Sequence, residues 1–215
     1  MWAAGLATSS AVVAWWQITG PGYSWLTGGV MLLLGVPAAL GGDSAFAWIG
    51  CGLAALVIVC ARHRHRVASA AIAAAIAFGV AAVDSNPLAV ISGAVFLGGV
   101  TAEMMLGHWY LVDPRLPRWA LRRLALAGGV AAIIDFGVLA GLGVFPWSAG
   151  DTALGIGFVV MAVATVVLMA AVVGALREEG YSGVMAATGL SYLALLTAIG
   201  AVVVGRLLVE GSVPS

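Results

Sequence analysis

The feature that most constrains this chain is a series of eight long apolar runs separated by short polar gaps. A helix needs about 20 apolar residues to cross the hydrocarbon core of a bilayer, with a usual range of about 17–25. The composition agrees, because 63% of the residues are hydrophobic and 8% are charged, against about 25% charged in ordinary soluble domains. The sequence therefore predicts an all-α, polytopic integral membrane protein, a bundle of about eight transmembrane helices with short loops.

The predicted spans fill most of the chain and leave no gap long enough for a soluble domain. We expect a single membrane domain, residues 1–215, in which longer spans after residue 85 indicate a division into two groups of four helices. The first two spans have about 17 residues each, at the lower limit of the usual range, and the second contains Pro37, so a re-entrant pair is the alternative there. The eight spans are Trp2–Ile18, Ser24–Leu40, Ser44–Ala61, Val67–Val83, Pro87–Val112, Trp119–Phe145, Thr152–Leu176 and Ser182–Val209.

Arginine predicts the orientation of these spans, since eight of the nine basic residues lie in three gaps and the chain has no lysine. Arginine in a short loop resists translocation, so these gaps are predicted to face the cytoplasm. In the cell inner (cytoplasmic) membrane, both termini then lie on the outer side. Arg206 is the one basic residue on that side, which also carries the acidic residues Asp43, Asp84, Asp151 and Glu210. The tryptophans fit the same register at the two membrane boundaries. The three gaps hold Arg62, Arg64 and Arg66; Arg115, Arg118, Arg122 and Arg123; and Arg177.

Small residues predict where the helices approach one another. The alanine-rich span Val67–Val83 is expected to be central, because several neighbours can approach it closely. The motif Gly137-x-x-x-Gly141 places two small residues on one helix face and predicts a close contact. Cys51 and Cys60 are too far apart along one helix to form a disulfide and are read as packing residues.

Two carboxylates fall well inside the predicted hydrocarbon, Glu103 in the fifth span and Asp135 in the sixth. An ionised side chain at mid-membrane costs about 2.5–3.5 kcal/mol on insertion scales, so each should face protein or a water-filled cavity. Their different depths argue against an acid–base pair. The structural alternative for each is a carboxylic acid that donates a hydrogen bond to a neighbouring helix.

A cluster of polar and aromatic residues follows Glu103 at the predicted cytoplasmic boundary. His108 can exchange a proton near neutral pH, while Trp109 and Tyr110 can stack or donate hydrogen bonds. Together with Glu103 these residues form a candidate quinone or proton site. The alternative is an aromatic belt with an interfacial histidine.

The remaining candidates carry less specific chemistry. Asp135, Thr188 and Tyr192 are intramembrane polar residues that could line a cavity or bond another helix. Arg118, Arg122 and Arg123 are candidate lipid-headgroup residues at the start of the sixth span. No metal site is expected, because three arginines flank His63 and His65, and no catalytic motif is present.

Two functions from different classes fit this pattern. The first is a hydrophobic anchor or quinone-interacting subunit of a membrane complex of the respiratory type, without independent catalytic activity. The second is a small secondary transporter or channel that uses Glu103 and Asp135 for proton or cation coupling. The expected partners are the lipid bilayer and either other membrane subunits or further copies of the chain. No covalently bound cofactor is expected. Nucleic-acid binding is not expected either, since the net charge is zero.

Overall fold

The computed structural model describes residues 1–83, 86–147 and 151–212. Within these ranges the chain is all-helical and contains no strand, as the sequence predicts. Asp84, the point of the predicted division near residue 85, and residues 148–150 of the predicted sixth loop lie outside the described residues. The helices are α1 (Trp2–Trp16), α2 (Pro21–Gly41), α3 (Ala45–Val59), α4 (Arg64–Ala82), α5 (Pro87–Val112), α6 (Arg118–Gly141), α7 (Thr152–Ala175) and α8 (Tyr181–Ser212).

Six of the described helices, α2 and α4 to α8, are long and apolar enough to cross a membrane. These helices support the prediction of a helical, multi-pass membrane protein. The two others, α1 and α3, have 15 residues each, which corresponds to about 22 Å of helix. α2 is one continuous helix that passes through Pro37 and ends at Gly41.

Local sequence explains where the long helices begin and end. The Asn86 side chain caps α5 by accepting a hydrogen bond from the Ala89 amide at 3.3 Å, and Pro87 occupies the first helical turn. α6 ends at Gly141 rather than at Phe145, because Gly143 turns the chain with a φ of 87°. Glycine adopts this left-handed conformation without the Cβ penalty of other residues.

The helices pack in two cyclic groups. In each group every helix contacts the next in sequence and the last contacts the first, for α1–α4 and again for α5–α8. The two groups meet mainly through α1 and α5, with smaller contacts from α2 and α4 to α5 and a ring contact between Trp16 of α1 and Trp119 of α6. The loops after α1, α3, α5 and α7 lie at one end of the bundle, which we call the arginine end because it carries the three arginine clusters.

The contact between α1 and α5 depends on two glycines. A Cβ added to Gly5 would overlap the Ala94 carbonyl oxygen, and one added to Gly98 would overlap the backbone of Gly5. The helices therefore touch backbone to backbone at this crossing, as small residues permit in membrane proteins.

Two packing predictions are wrong. Gly137 and Gly141 lie on an exposed face of α6, where an added Cβ would meet no atom of the described chain within 4 Å. The alanine-rich helix α4 is not central, because one of its faces, with Ile72 and Ile76, is exposed. The helix that contacts most neighbours across both groups is α5.

Candidate functional site

Polar side chains are concentrated between α5 and α8, two helices that pack antiparallel along most of their length. Small residues allow this close approach, since a Cβ on Gly107 would lie 3.1 Å from the Thr188 hydroxyl oxygen. Thr188 is buried and its hydroxyl donates to the Val184 carbonyl within α8 at 2.9 Å. The hydroxyl of the predicted polar residue Thr188 therefore has its hydrogen-bond acceptor within its own helix, where α8 packs closely on α5.

Asp135 of α6 and Arg206 of α8 form a buried ion pair at the end of the bundle opposite the arginine end. Arg206 donates from Nη1 to Asp135 Oδ2 at 2.7 Å and from Nη2 to Asp135 Oδ1 at 2.5 Å. The Arg206 side chain is 17% exposed and the Asp135 side chain is 3% exposed. A two-point pairing of this kind fixes both the distance and the orientation of the two groups.

Two groups of α5 complete this pair. The Ser92 hydroxyl donates to Asp135 Oδ1 at 2.6 Å, and the Ala89 carbonyl accepts from Arg206 Nη2 at 2.5 Å. Glycine at position 93 leaves room for the guanidinium, which an added Cβ would overlap. The network therefore ties α5, α6 and α8 together through one charge pair.

Glu103 lies about 16 Å further along α5 than Ser92, counted at 1.5 Å per residue. Its side chain is 1% exposed and is within hydrogen-bond reach of Ser191 on α8. The Ser191 hydroxyl also lies 2.8 Å from the Ala187 carbonyl, to which it can donate within α8. Glu103 Oε2 has no hydrogen-bond partner in the described part of the chain.

His108 and Tyr192 form a second pair across the same interface, on its exposed flank. The His108 Nδ1 and the Tyr192 hydroxyl oxygen are 3.1 Å apart, and their rings meet edge to face at 6.5 Å between centroids. Both side chains are exposed on the bundle surface. Tyr192 directly follows Ser191 in α8, so the exposed pair lies beside the buried contact of Glu103.

The structure directs Trp109 and Tyr110 to other neighbours. Trp109 packs edge to face on Tyr23 of α2, with 6.3 Å between ring centroids, and covers Gly22. Tyr110 is buried in the core. Of the predicted quinone residues, His108 thus meets Tyr192, which the sequence analysis treats only as an intramembrane polar residue, while Trp109 faces α2.

The three predicted headgroup arginines have different surroundings. The Arg118 guanidinium donates to the carbonyls of Glu178, Glu179 and Gly180 and so holds the loop between α7 and α8. Arg123 lies over the Trp119 ring, 4.7 Å from its centroid. Arg122 is exposed.

No family model, curated protein or solved structure matches this chain. Its function must therefore be argued from the site.

Sequence reasoning missed Ser191 and assigned Arg206 to the exterior. The structure places Arg206 about 9 Å from the end of α8, at a depth similar to that of Asp135 in α6. An arginine and an aspartate at the same depth of two apolar spans are the signal that could have paired them, because an unpaired charge there is costly. Ser191 has no comparable signal, since serines that bond their own helix are common in spans.

Proposed function

We propose that this protein is a membrane-embedded subunit that binds a quinone from the bilayer, on the flank of α5 and α8 near the arginine end. The observation that carries the proposal is the exposed contact of His108 and Tyr192, 3.1 Å apart, beside the buried carboxyl of Glu103. A lipid-soluble ligand can reach this flank laterally without a water-filled entrance.

The side chains suit a quinone headgroup. An imidazole and a phenol donate hydrogen bonds to carbonyl oxygens, and the imidazole exchanges protons near neutral pH. Leu196 follows Tyr192 by one helical turn in the direction away from the arginine end, and it is exposed together with Leu193, so these two residues extend an apolar surface for an isoprenoid tail. Glu103 and Ser191 lie on the inner side of this flank, where a carboxyl can accept or return a proton.

Reduction of a bound quinone to quinol requires two electrons and two protons. The protons come from the solvent at the arginine end through His108, with Glu103 as a second exchangeable group. The electrons come from the redox centre of a partner protein, so the proposal includes a partner subunit with a metal or flavin centre.

The alternative function, proton-coupled or cation-coupled transport, is supported by Glu103 Oε2, which is buried and has no hydrogen-bond partner among the described residues. Asp135 contributes less to it than the sequence indicates, because Arg206 already occupies both of its oxygens. Purification in mild detergent separates the two functions. Stoichiometric redox partners support quinone binding, and a solitary protein that takes up a solute on a pH gradient supports transport.

We expect His108→Ala and Tyr192→Phe to weaken the binding of a quinone analogue at least five-fold. Each change removes one hydrogen-bonding group, which is worth about 1–3 kcal/mol at a polar site. Binding is measured with the protein in lipid nanodiscs, by titration of a headgroup analogue. The control is Tyr181→Phe, which removes an exposed phenol from the same helix outside the flank. Equal affinity in the parent and both flank variants contradicts the proposal.

We also propose that the arginine end faces the cytoplasm and that both termini lie outside, in the inner membrane. Arginine clusters in short loops carry this orientation. In a background with Cys51 and Cys60 replaced by alanine, Asp43→Cys should react with an impermeant maleimide added to the outside of intact cells. Arg66→Cys should react only after permeabilisation, and the reverse pattern contradicts the orientation.

A further inference from the structure

An apolar groove runs along the outer surface of the bundle between α6 and α7. Two adjoining cavities of about 260 and 310 Å³ form it, and they share Ile133 and Val166 as lining residues. Phe136 lines one end of the groove, and Arg177 lines the other end. From Ala162 to the end of α7 at Ala175 the groove follows about 20 Å of helix, which exceeds the roughly 15 Å depth of one hydrocarbon leaflet.

The charged end of the groove carries two arginines, Arg122 of α6 and Arg177, which lies two residues beyond the end of α7. Arg177 is exposed and lines the groove. Arg122 is also exposed and precedes the lining residue Leu126 by one turn, so it lies on the same face of α6. The nearby carboxylate of Glu178 is turned towards α8, because it accepts a hydrogen bond from Ser182 at 3.1 Å.

We propose that this groove binds one acyl chain of an anionic phospholipid, whose phosphate lies between Arg122 and Arg177. The apolar length of the groove fits a lipid tail, and the two guanidinium groups complement a negative headgroup rather than a zwitterionic one. This site is separate from the flank of α5 and α8 and does not depend on quinone binding.

The test measures which lipid the protein retains. The purified protein is equilibrated with equal amounts of phosphatidylglycerol and phosphatidylcholine in detergent, and bound lipid is counted by native mass spectrometry. The parent should retain phosphatidylglycerol in preference. Arg177→Gln should lower this retention about five-fold, as expected for one charge at a membrane surface. The matched control Arg66→Gln removes an exposed arginine from the same end of the bundle, outside the groove, and should have no effect.

A second pair of variants tests the tail. Val163→Trp fills the groove, whereas Val160→Trp adds the same bulk to an exposed position of α7 outside it. Val163→Trp should lower retention of both lipids, and Val160→Trp should leave it unchanged. Equal retention of the two lipids by the parent overturns the proposal. The same effect from Arg177→Gln and Arg66→Gln, or from the two tryptophan variants, also overturns it.

Discussion

Replacing Arg206 by methionine is expected to destabilise the protein by about 3–5 kcal/mol, the usual cost of removing one partner from a buried ion pair. The variant leaves the Asp135 carboxylate almost fully buried, with Ser92 as its remaining hydrogen-bond donor among the described residues. For a chain of this size the loss corresponds to a fall of roughly 6–20 °C in the apparent melting temperature. Heating in detergent followed by size-exclusion chromatography measures it.

The double variant Asp135→Leu, Arg206→Met identifies the cause. If the single variant suffers from an uncompensated charge, removal of both charges should restore most of the melting temperature, since apolar replacements of buried pairs are often neutral or stabilising. Arg115→Met removes an exposed arginine at the arginine end and should change the unfolding free energy by less than about 0.5 kcal/mol. A double variant no more stable than Arg206→Met would show that the pair acts by more than charge compensation.

The ion pair illustrates what the sequence could and could not predict. The buried position of Asp135 follows from its depth in an apolar run, because the cost of an exposed charge in lipid is independent of the fold. Its partner is set by which helices are neighbours, and α8 lies beside α5 although α6 and α7 come between them in the chain. Counting arginines by loop assigns Arg206 to the exterior, since that rule considers the ends of spans and not their interiors.

The site on α5 and α8 shows the same limit. The helical spacing of Glu103, His108 and Tyr110 places them around α5 but cannot say which neighbour each one meets. The structure places Ser191 beside Glu103 and Tyr192 beside His108. Both partners come from one short stretch of α8, so they depend on the antiparallel register of the two helices. That register follows from tertiary packing at small residues such as Gly107.

Glycine patterns failed for a related reason. The motif at Gly137 and Gly141 has the spacing of a close contact, but spacing alone does not say which face of α6 is covered. The observed backbone contact uses one glycine from each helix, Gly5 and Gly98. Ala94 and Gly98, the α5 residues that meet Gly5, do have a four-residue spacing of small residues, but the same spacing recurs throughout this chain and does not single out the pair in contact.

Substitution of Gly98 should therefore have the second large effect. A Cβ at this position would overlap backbone atoms of Gly5, which cannot rotate away as a flexible side chain can. α1 would have to move off α5, and this is the contact that joins the two helix groups. Overpacking in a close-packed core usually costs about 1–3 kcal/mol and occasionally more. We expect Gly98→Ala to lie at the upper end of this range and Gly98→Leu to prevent recovery of monodisperse protein.

Gly137 provides a matched control on α6. It is also a glycine within a long helix, but an added Cβ would meet no described atom within 4 Å. Gly137→Ala should raise the melting temperature slightly, because alanine favours a helix over glycine by up to about 1 kcal/mol. The two alanine variants thus change the same atoms and are expected to shift stability in opposite directions, which heating in detergent resolves. If Gly98→Ala melts at or above the parent temperature, the α1–α5 crossing tolerates separation and does not hold the two groups together.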